Sequence, residues 1–468
     1  MKLRHLIYPL AAAILTGLAV TSCSSTDSEP QPPVPVTPEQ PADDATAIVS
    51  FNLNAASFGN SSRATFPARE AQFNELIQKW EVYIVRDGVV VAAAKSSPSD
   101  TDPRWNDVVT VELPVASGYT AYAFANIGDN FIQKTLGFEI GAKIDHDKIL
   151  NAVFPAETNE THLKDLTLIP MAGYLTDIQL KGTVNETFAI EVVRLYSKVE
   201  FAFVKKTTQT ITVNGISIQP VYTGSSFVMP NYREKPIPDN PFPTFSPRLP
   251  DNPTYGIAEV TAQESIKDFV ISVPDDEQEK DVSARTHFYI KESIAEGKHP
   301  TNRFHIGINL KRGNQKSETV TALADDNLKF FYRNDYVLFP IVISDYTPEL
   351  EVFDYPPIGG YPVQVDNKGT EFYATFSSSG AFDILARLRD SQGRTIVVKP
   401  QSQGGTSENY VEGPEIVNAP KDFKLTFDSM ENLWRGDFPQ GSTETITITF
   451  KFHIEGLVYT RTLYLLSK

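Results

Sequence analysis

Ile446-Thr447-Ile448-Thr449-Phe450-Lys451-Phe452-His453-Ile454-Glu455-Gly456-Leu457-Val458-Tyr459-Thr460-Arg461-Thr462-Leu463-Tyr464-Leu465-Leu466 is the stretch on which the fold class turns. Ile446, Ile448, Phe450, Phe452 and Ile454 recur every second residue. Side chains at that spacing share one face of an extended strand, and they would be scattered around a helix. Glu455-Gly456 then turns the chain, and Leu457 to Leu466 returns. Working towards the N-terminus, the same two-residue period recurs. Val49, Phe51 and Leu53 alternate with Ser50, Asn52 and Asn54, which is a half-buried strand. Trp80–Val85 and Val89–Ala93 flank Asp87-Gly88, a strong hairpin signal. Val109–Val115 and Tyr119–Ala125 are expected to pair around Ser117-Gly118. Residues 188–204 hold two strands, continued by Ile211, Val213, Ile216 and Ile218. Further strands are expected at Ile266–Val273, His287–Lys291, His305–Lys311, Tyr336–Ser344, Phe372–Phe376, Phe382–Leu388 and Thr395–Val398. Only two short helices are expected, at Ala68–Gln78 and Asp145–Ala152. Many short strands and little helix make this an all-β chain of sandwich domains.

The N-terminal end carries an address. Met1-Lys2-Leu3-Arg4 is positive, and an apolar run from Leu6 to Val20 follows. That run has the length of an export-signal core and is short for a membrane span. It closes on Val20-Thr21-Ser22-Cys23, which resembles a bacterial lipoprotein box, and Cys23 is the only cysteine in 468 residues. The expectation is removal of residues 1–22, lipidation of Cys23 and attachment to a membrane by acyl chains. Residues 24–44 contain six prolines, five acids and no Lys or Arg. Such a composition has nothing to bury, so residues 23–46 read as a disordered acidic tether.

Composition bounds the rest. About 445 residues exceed one ordinary core, so two to four domains are expected. The reading is 47–187 for a first sandwich and 188–346 for a second. Residues 347–362 form a hinge ending in Tyr355-Pro356-Pro357-Ile358-Gly359-Gly360-Tyr361-Pro362, and 363–468 form a C-terminal β-domain. Residues 220–253 hold nine prolines in 34 positions and read as a long surface excursion within the second domain. With one cysteine, no intramolecular disulfide can form. The formal net charge is −16, which lacks the basic footprint that nucleic acid requires.

The motifs of enzymes are missing. There is no His-Glu-x-x-His, P-loop, Gly-x-Ser-x-Gly or Gly-x-Gly-x-x-Gly. Asp145-His146-Asp147 reads as a solvated helix start, and Asp275-Asp276-Glu277-Gln278-Glu279 as an acidic turn without calcium-loop spacing. No catalytic, metal or cofactor residue is assigned. Asn60-Ser61-Ser62-Arg63-Ala64-Thr65 is small and polar, open to a protease. Cutting between Arg63 and Ala64 would release the strand that begins at Ala47. If that is an edge strand, its loss leaves unpaired backbone groups and an apolar groove, a template for a strand from another chain.

Several segments resemble the fimbrillin family, the type V pilins of Bacteroidetes. Ala45-Thr46-Ala47-Ile48-Val49-Ser50-Phe51 running into Ser62-Arg63-Ala64 is similar to their first strand and arginine cleavage site. Tyr122-Ala123-Phe124-Ala125-Asn126-Ile127-Gly128-Asp129 resembles a strand end of the form Ala-Asn-x-Gly-Asp. Leu168-Ile169-Pro170-Met171-Ala172-Gly173 resembles a Pro-Met-x-Gly turn. Glu191-Val192-Val193-Arg194-Leu195-Tyr196-Ser197-Lys198-Val199 is similar to the strand that opens their second domain. Tyr332-Arg333-Asn334-Asp335-Tyr336 is similar to a late Arg-Asn-x-x-Tyr element. The resemblance implies two transthyretin-like sandwiches, export as an outer-membrane lipoprotein and cutting after Arg63. It also implies assembly with other pilin subunits through a donor strand. The departure is the C-terminus, where about 105 residues follow the hinge in place of a short donor segment. A subunit that accepts a strand but gives none belongs at a tip or accessory position in a surface fimbrium, with a host or bacterial surface ligand. The alternatives are an uncleaved, lipid-held anchor subunit and a surface glycan-binding lipoprotein, for which Tyr361 and Trp434 are the candidate sugar platforms.

Overall fold

The structure is a computed structural model. It describes residues 45–468 except 56–58, 61–72, 98–101, 155–161, 164–166, 183–184, 208, 233–247, 251–252, 262–268, 272–283, 299–301, 325–327, 357–361, 391, 407–408 and 442–443. The protein is all-β. Among the described residues, α-helix is confined to α1 (His146–Leu150), and no helix is long and apolar enough to cross a membrane. Asp145 caps α1 by accepting a hydrogen bond from the Lys148 N–H. The other expected helix is reduced, among its described residues, to a 3-10 turn at Phe73–Glu75.

The first sandwich is built from the segment of chain that holds β1 (Thr46–Ala55), β2 (Gly59–Asn60), β3 (Trp80–Arg86), β4 (Val89–Lys95), β5 (Asn106–Pro114), β6 (Tyr119–Ala125), β7 (Val153–Phe154), β8 (His162–Leu163), β9 (Met171–Ile178) and β10 (Glu186–Arg194), of which β2 and β8 pair into a layer of the second. Seven of these hydrogen-bond in the order β4-β3-β6-β9-β10-β1-β5. The sheet folds over on itself along β10, whose residues Glu186–Val192 pair with β1 and whose last two residues pair with β9. Val49, Phe51 and Leu53 of β1 therefore share a core with Val82 and Ile84 of β3, Ala121 and Ala123 of β6, and Ile190 and Val192 of β10. The outer face of β3 and β6 is covered as well, by Ile132, Phe138, Ile149, Val228 and Met229. That double covering is why Trp80–Val85 is buried throughout.

One expectation holds here and two change. The β3–β4 hairpin forms, with Asp87 and Gly88 both at positive φ as a tight two-residue turn requires. The strands either side of Ser117-Gly118 do not pair with each other: β5 runs beside β1, and β6 lies between β3 and β9. The turn links two layers, held by Val115 N–H to Ala45 O and Leu180 N–H to Ala116 O. Residues 188–194 belong to β10, so the chain leaves the first sheet at Leu195 and not near Phe188.

The second sandwich uses β11 (Tyr196–Lys206), β12 (Ile211–Tyr222), β13 (Ser226–Phe227), β14 (Tyr255–Thr261), β15 (Phe269–Ile271), β16 (Ala284–Lys291), β17 (Ser293–Ile294), β18 (His305–Arg312), β19 (Glu318–Leu323), β20 (Phe330–Phe331) and β21 (Asp335–Ser344). One layer runs β2-β21-β11-β16-β8, so its two edges are supplied by segments from the first half of the chain. The other layer begins β14-β12-β18-β19. The start of the proline-rich stretch is not a surface excursion: β13 pairs with β7, and Val228 and Met229 are fully buried against the first sandwich.

The remaining strands are β22 (Thr347–Asp354), β23 (Gln364–Asn367), β24 (Glu371–Phe376), β25 (Gly380–Arg389), β26 (Thr395–Val397), β27 (Asn409–Val411), β28 (Glu415–Val417), β29 (Leu425–Asp428), β30 (Leu433–Phe438), β31 (Ile446–Ile454) and β32 (Leu457–Ser467). Residues 347–354, expected within a hinge, form β22, which pairs with β25 along its whole length. The order β22-β25-β30-β29 makes one layer. The other is a continuation of the second sandwich's sheet, because β32 pairs with β19 through Thr321–Val458 and Ala322–Leu457. One apolar core runs from Val199 to Leu465 across both. Two buried arginines stitch the seam. Arg312 donates to Tyr346 O (2.6 Å) and the Tyr459 hydroxyl (2.5 Å), and Arg461 donates to Pro348 O (2.9 Å) and pairs with Glu318 (3.0 Å).

Truncating Phe51, fully buried in the first core, to Ala should cost about 3–5 kcal/mol in urea-unfolding measurements on the uncut chain. Ser50→Ala, on the opposite face of β1, should stay within about 0.5 kcal/mol.

Candidate functional site

β1 is an interior strand. On one side it runs parallel to β10, from Val49 opposite Glu186 to Ala55 opposite Val192. On the other it runs antiparallel to β5, from Thr46 opposite Pro114 to Asn54 opposite Asn106. The expectation of an edge strand is thus replaced by a strand with a ladder on each side. Its alternation places Ala47, Val49, Phe51, Leu53 and Ala55 inward, and Phe51 stacks on Phe188 at 6.0 Å. Burial of Val49, Phe51 and Leu53 stabilises the strand by about 5–9 kcal/mol, as an upper estimate. Withdrawing β1 would bare an apolar slot and two rows of backbone donors and acceptors.

The chain after β1 crosses to the second sandwich. β2 pairs parallel with β21, Gly59 opposite Asp335 and Asn60 opposite Tyr336. Arg63 and Ala64, which follow, lie outside the described residues, and so does Cys23, which precedes β1. Tyr361 and the acidic run 275–279 are also outside them. Trp434 is a core residue, packed against Phe427 and Phe450.

The motif residues converge where the two sandwiches meet. Arg194, fully buried at the end of β10, donates from Nε and Nη2 to Glu75 O (2.9 and 2.6 Å) and from Nη1 to Asn334 Oδ1 (2.7 Å). Burial lowers its guanidinium to about 10, partly offset by Glu75 and Tyr289, so it stays charged at neutral pH. Lys198 Nζ lies 2.6 Å from Glu75 Oε1, and the Tyr289 hydroxyl donates to the same oxygen at 2.6 Å. Nearby, Arg333 pairs with Glu292 at 2.6 Å and donates to Phe227 O and Val228 O. Glu75 was not legible as a partner. It sits in a stretch that reads as helix, where a single acid carries no signal.

The other motifs have backbone reasons. Asn126 sits at φ +56, which asparagine tolerates, and its amide accepts from Gln78 N–H and Lys79 N–H while donating to Leu76 O and Ile169 O. At Gly173, a Cβ would lie 2.0 Å from Glu191 O, so only glycine lets β9 approach β10 there. Among the described residues no group of three or more His, Cys, Asp or Glu side chains is placed to hold a metal ion.

Asp335, opposite Gly59 of β2, is buried, and burial pushes its carboxyl up to about 8, opposed by the Tyr332 N–H and reinforced by Glu292. The folded protein therefore keeps a proton that the unfolded chain releases near 3.9. The associated stabilisation is complete below that value and is lost as pH rises through about 8. Asp335→Asn should lose less stability than the parent between pH 5 and pH 8, by at least about 1.4 kcal/mol in urea titrations, the worth of a one-unit shift.

No family model and no curated protein matches the chain. Among solved structures, the chain is similar to the tip fimbrial protein Mfa3 from Porphyromonas gingivalis with C-terminal truncation. The identity is 14%, 63% of this chain and 94% of that one are covered, and the TM-score is 0.39. A fimbrial assembly protein from Parabacteroides distasonis is similar at 10% identity over 75% of this chain and 98% of that one, with a TM-score of 0.33. A fimbrilin from Porphyromonas gingivalis is similar at 13% identity over 90% and 98%, with a TM-score of 0.31. The solved structures to which the chain is similar thus include fimbrial proteins.

Proposed function

We propose that the protein is a fimbrial subunit of the fimbrillin kind, carried to the outer membrane as a lipoprotein on Cys23 and released by a cut between Arg63 and Ala64. The observation that carries this reading is β1, an interior strand with an apolar inward face that ends shortly before that bond. The cut would free β1 and β2 together, leaving β10 and β5 to accept a strand of the same alternation from a neighbouring subunit.

The other end favours a tip or accessory position. β32, the last strand, is paired with β31 on one side and with β24 on the other. Its inward residues, Tyr459, Leu463 and Leu465, are fully buried in the chain's own core. A strand committed in this way has no free edge to donate. An uncut anchor subunit is the second reading. It is favoured by the completeness of the intact fold, in which β1 and β2 hold one sandwich each.

N-terminal sequencing of protein recovered from the cell surface should begin at Ala64. Recovery of only lipidated Cys23 would move the protein to the anchor position. Cleaved protein incubated with itself should give no ladder of higher oligomers on a denaturing gel run without boiling; a ladder would make it a stalk subunit.

A further inference from the structure

The outward face of the sheet β22-β25-β30-β29 carries a cleft of about 420 Å³ that the strand-exchange reading does not use. Ala381 of β25, opposite Asp437 of β30, presents only a methyl group and leaves the depression. At its side lies Asp383, on the solvent face of the strand yet only 3% exposed. Its carboxylate is fixed from both ends. The Tyr355 hydroxyl donates to Oδ2 at 2.5 Å, and Arg435 Nε lies 3.4 Å from Oδ1. Arg435 is held in turn by Asp428 (2.8 Å) and Glu431 (2.7 Å). The effect is to lock the Tyr355 ring, 61% exposed, at the cleft wall, so that little side-chain entropy is left to lose on binding. Lys424, Thr426 and Asp437, all exposed, lie along the lining together with Phe382 and Gly436.

Among the lining residues two acids, Asp383 and Asp437, stand against two bases, Lys424 and Arg435. Arg435 is already engaged by Asp383, Asp428 and Glu431, so it is not free to select an anion. The chain's net charge of −16 further repels acidic ligands. What remains is a concave, hydroxyl- and carboxylate-lined site beside one rigid, amphipathic aromatic ring. We propose that this cleft binds a neutral saccharide, its C–H face against Tyr355 and its hydroxyls on Asp437, Thr426 and Lys424. The volume, at the small end of the range for small-molecule pockets (about 300–1,000 Å³), admits a short saccharide segment rather than a folded partner. The inference does not depend on the cut at Arg63 or on strand exchange.

The test presents the full chain to immobilised neutral oligosaccharides ending in glucose, galactose, mannose or N-acetylglucosamine, with sialylated and sulfated counterparts alongside. The expected result is retention on at least one neutral surface, weakened at least tenfold by Thr426→Ala with Asp437→Ala, and also by Tyr355→Ala. Thermal unfolding of the first variant should match the parent, since both its positions are exposed. Tyr355→Ala is scored only if it melts with the parent, and the Thr426, Asp437 variant decides alone otherwise. No retention on any neutral surface, retention confined to the acidic counterparts, or retention unchanged in the Thr426, Asp437 variant would each overturn the proposal.

Discussion

The buried ion pair of Glu75 with Lys198 ties the first sandwich to the second. Glu75 is contributed by a 3-10 turn of the first sandwich and Lys198 by β11 of the second, and neither side chain is more than 3% exposed. Burying two charges is costly, and a pair of this kind repays the cost only with good geometry and further hydrogen bonds. Tyr289 supplies one, and Arg194 grips the Glu75 carbonyl from the end of β10. Arg194 ends β10 and Lys198 lies near the start of β11, so the cluster spans the point where the chain crosses from one sandwich to the next. Removing either charge alone would leave the other buried without compensation, typically a loss of about 3–5 kcal/mol.

The two ends of the chain are treated in opposite ways. At the N-terminal end β1 and β2 are joined to the body by strand ladders, but they leave it covalently if one bond after Asn60 is broken. At the C-terminal end β32 is built into a sheet shared by two sandwiches, with Arg312 and Arg461 bonded across the seam. The last hundred residues thus share a sheet and a core with the second sandwich.

Much of this was legible in the sequence, and the rest was hidden for identifiable reasons. Val49, Phe51 and Leu53 announced a strand because one face is buried and the other wet, and Ile446 to Leu466 did the same. The pairing of that strand was not legible: alternation says which face is inward but not which neighbours lie alongside. Ser117-Gly118 misled because a turn signal is the same whether it closes a hairpin or crosses between layers. Arg194, Lys198 and Asn334 stood out through resemblance, yet Glu75 and Tyr289, which give them their roles, lie in unrelated parts of the chain. Asp383 could not be singled out at all. An acid on the polar side of a strand is unremarked until Tyr355 and Arg435 are found closing over it.

The parallel pairing of β1 with β10 carries a consequence for the order of events during folding. Residue 49 leaves the ribosome long before residue 186, its partner, exists. Contacts of such separation form late, since closing the intervening chain must precede any reward from the ladder. The ladder with β10 is thus among the last to close, after the nearer pairing of β1 with β5. Until β10 arrives, the side of β1 that it will cover is an unpaired edge, open to any extended segment of matching alternation.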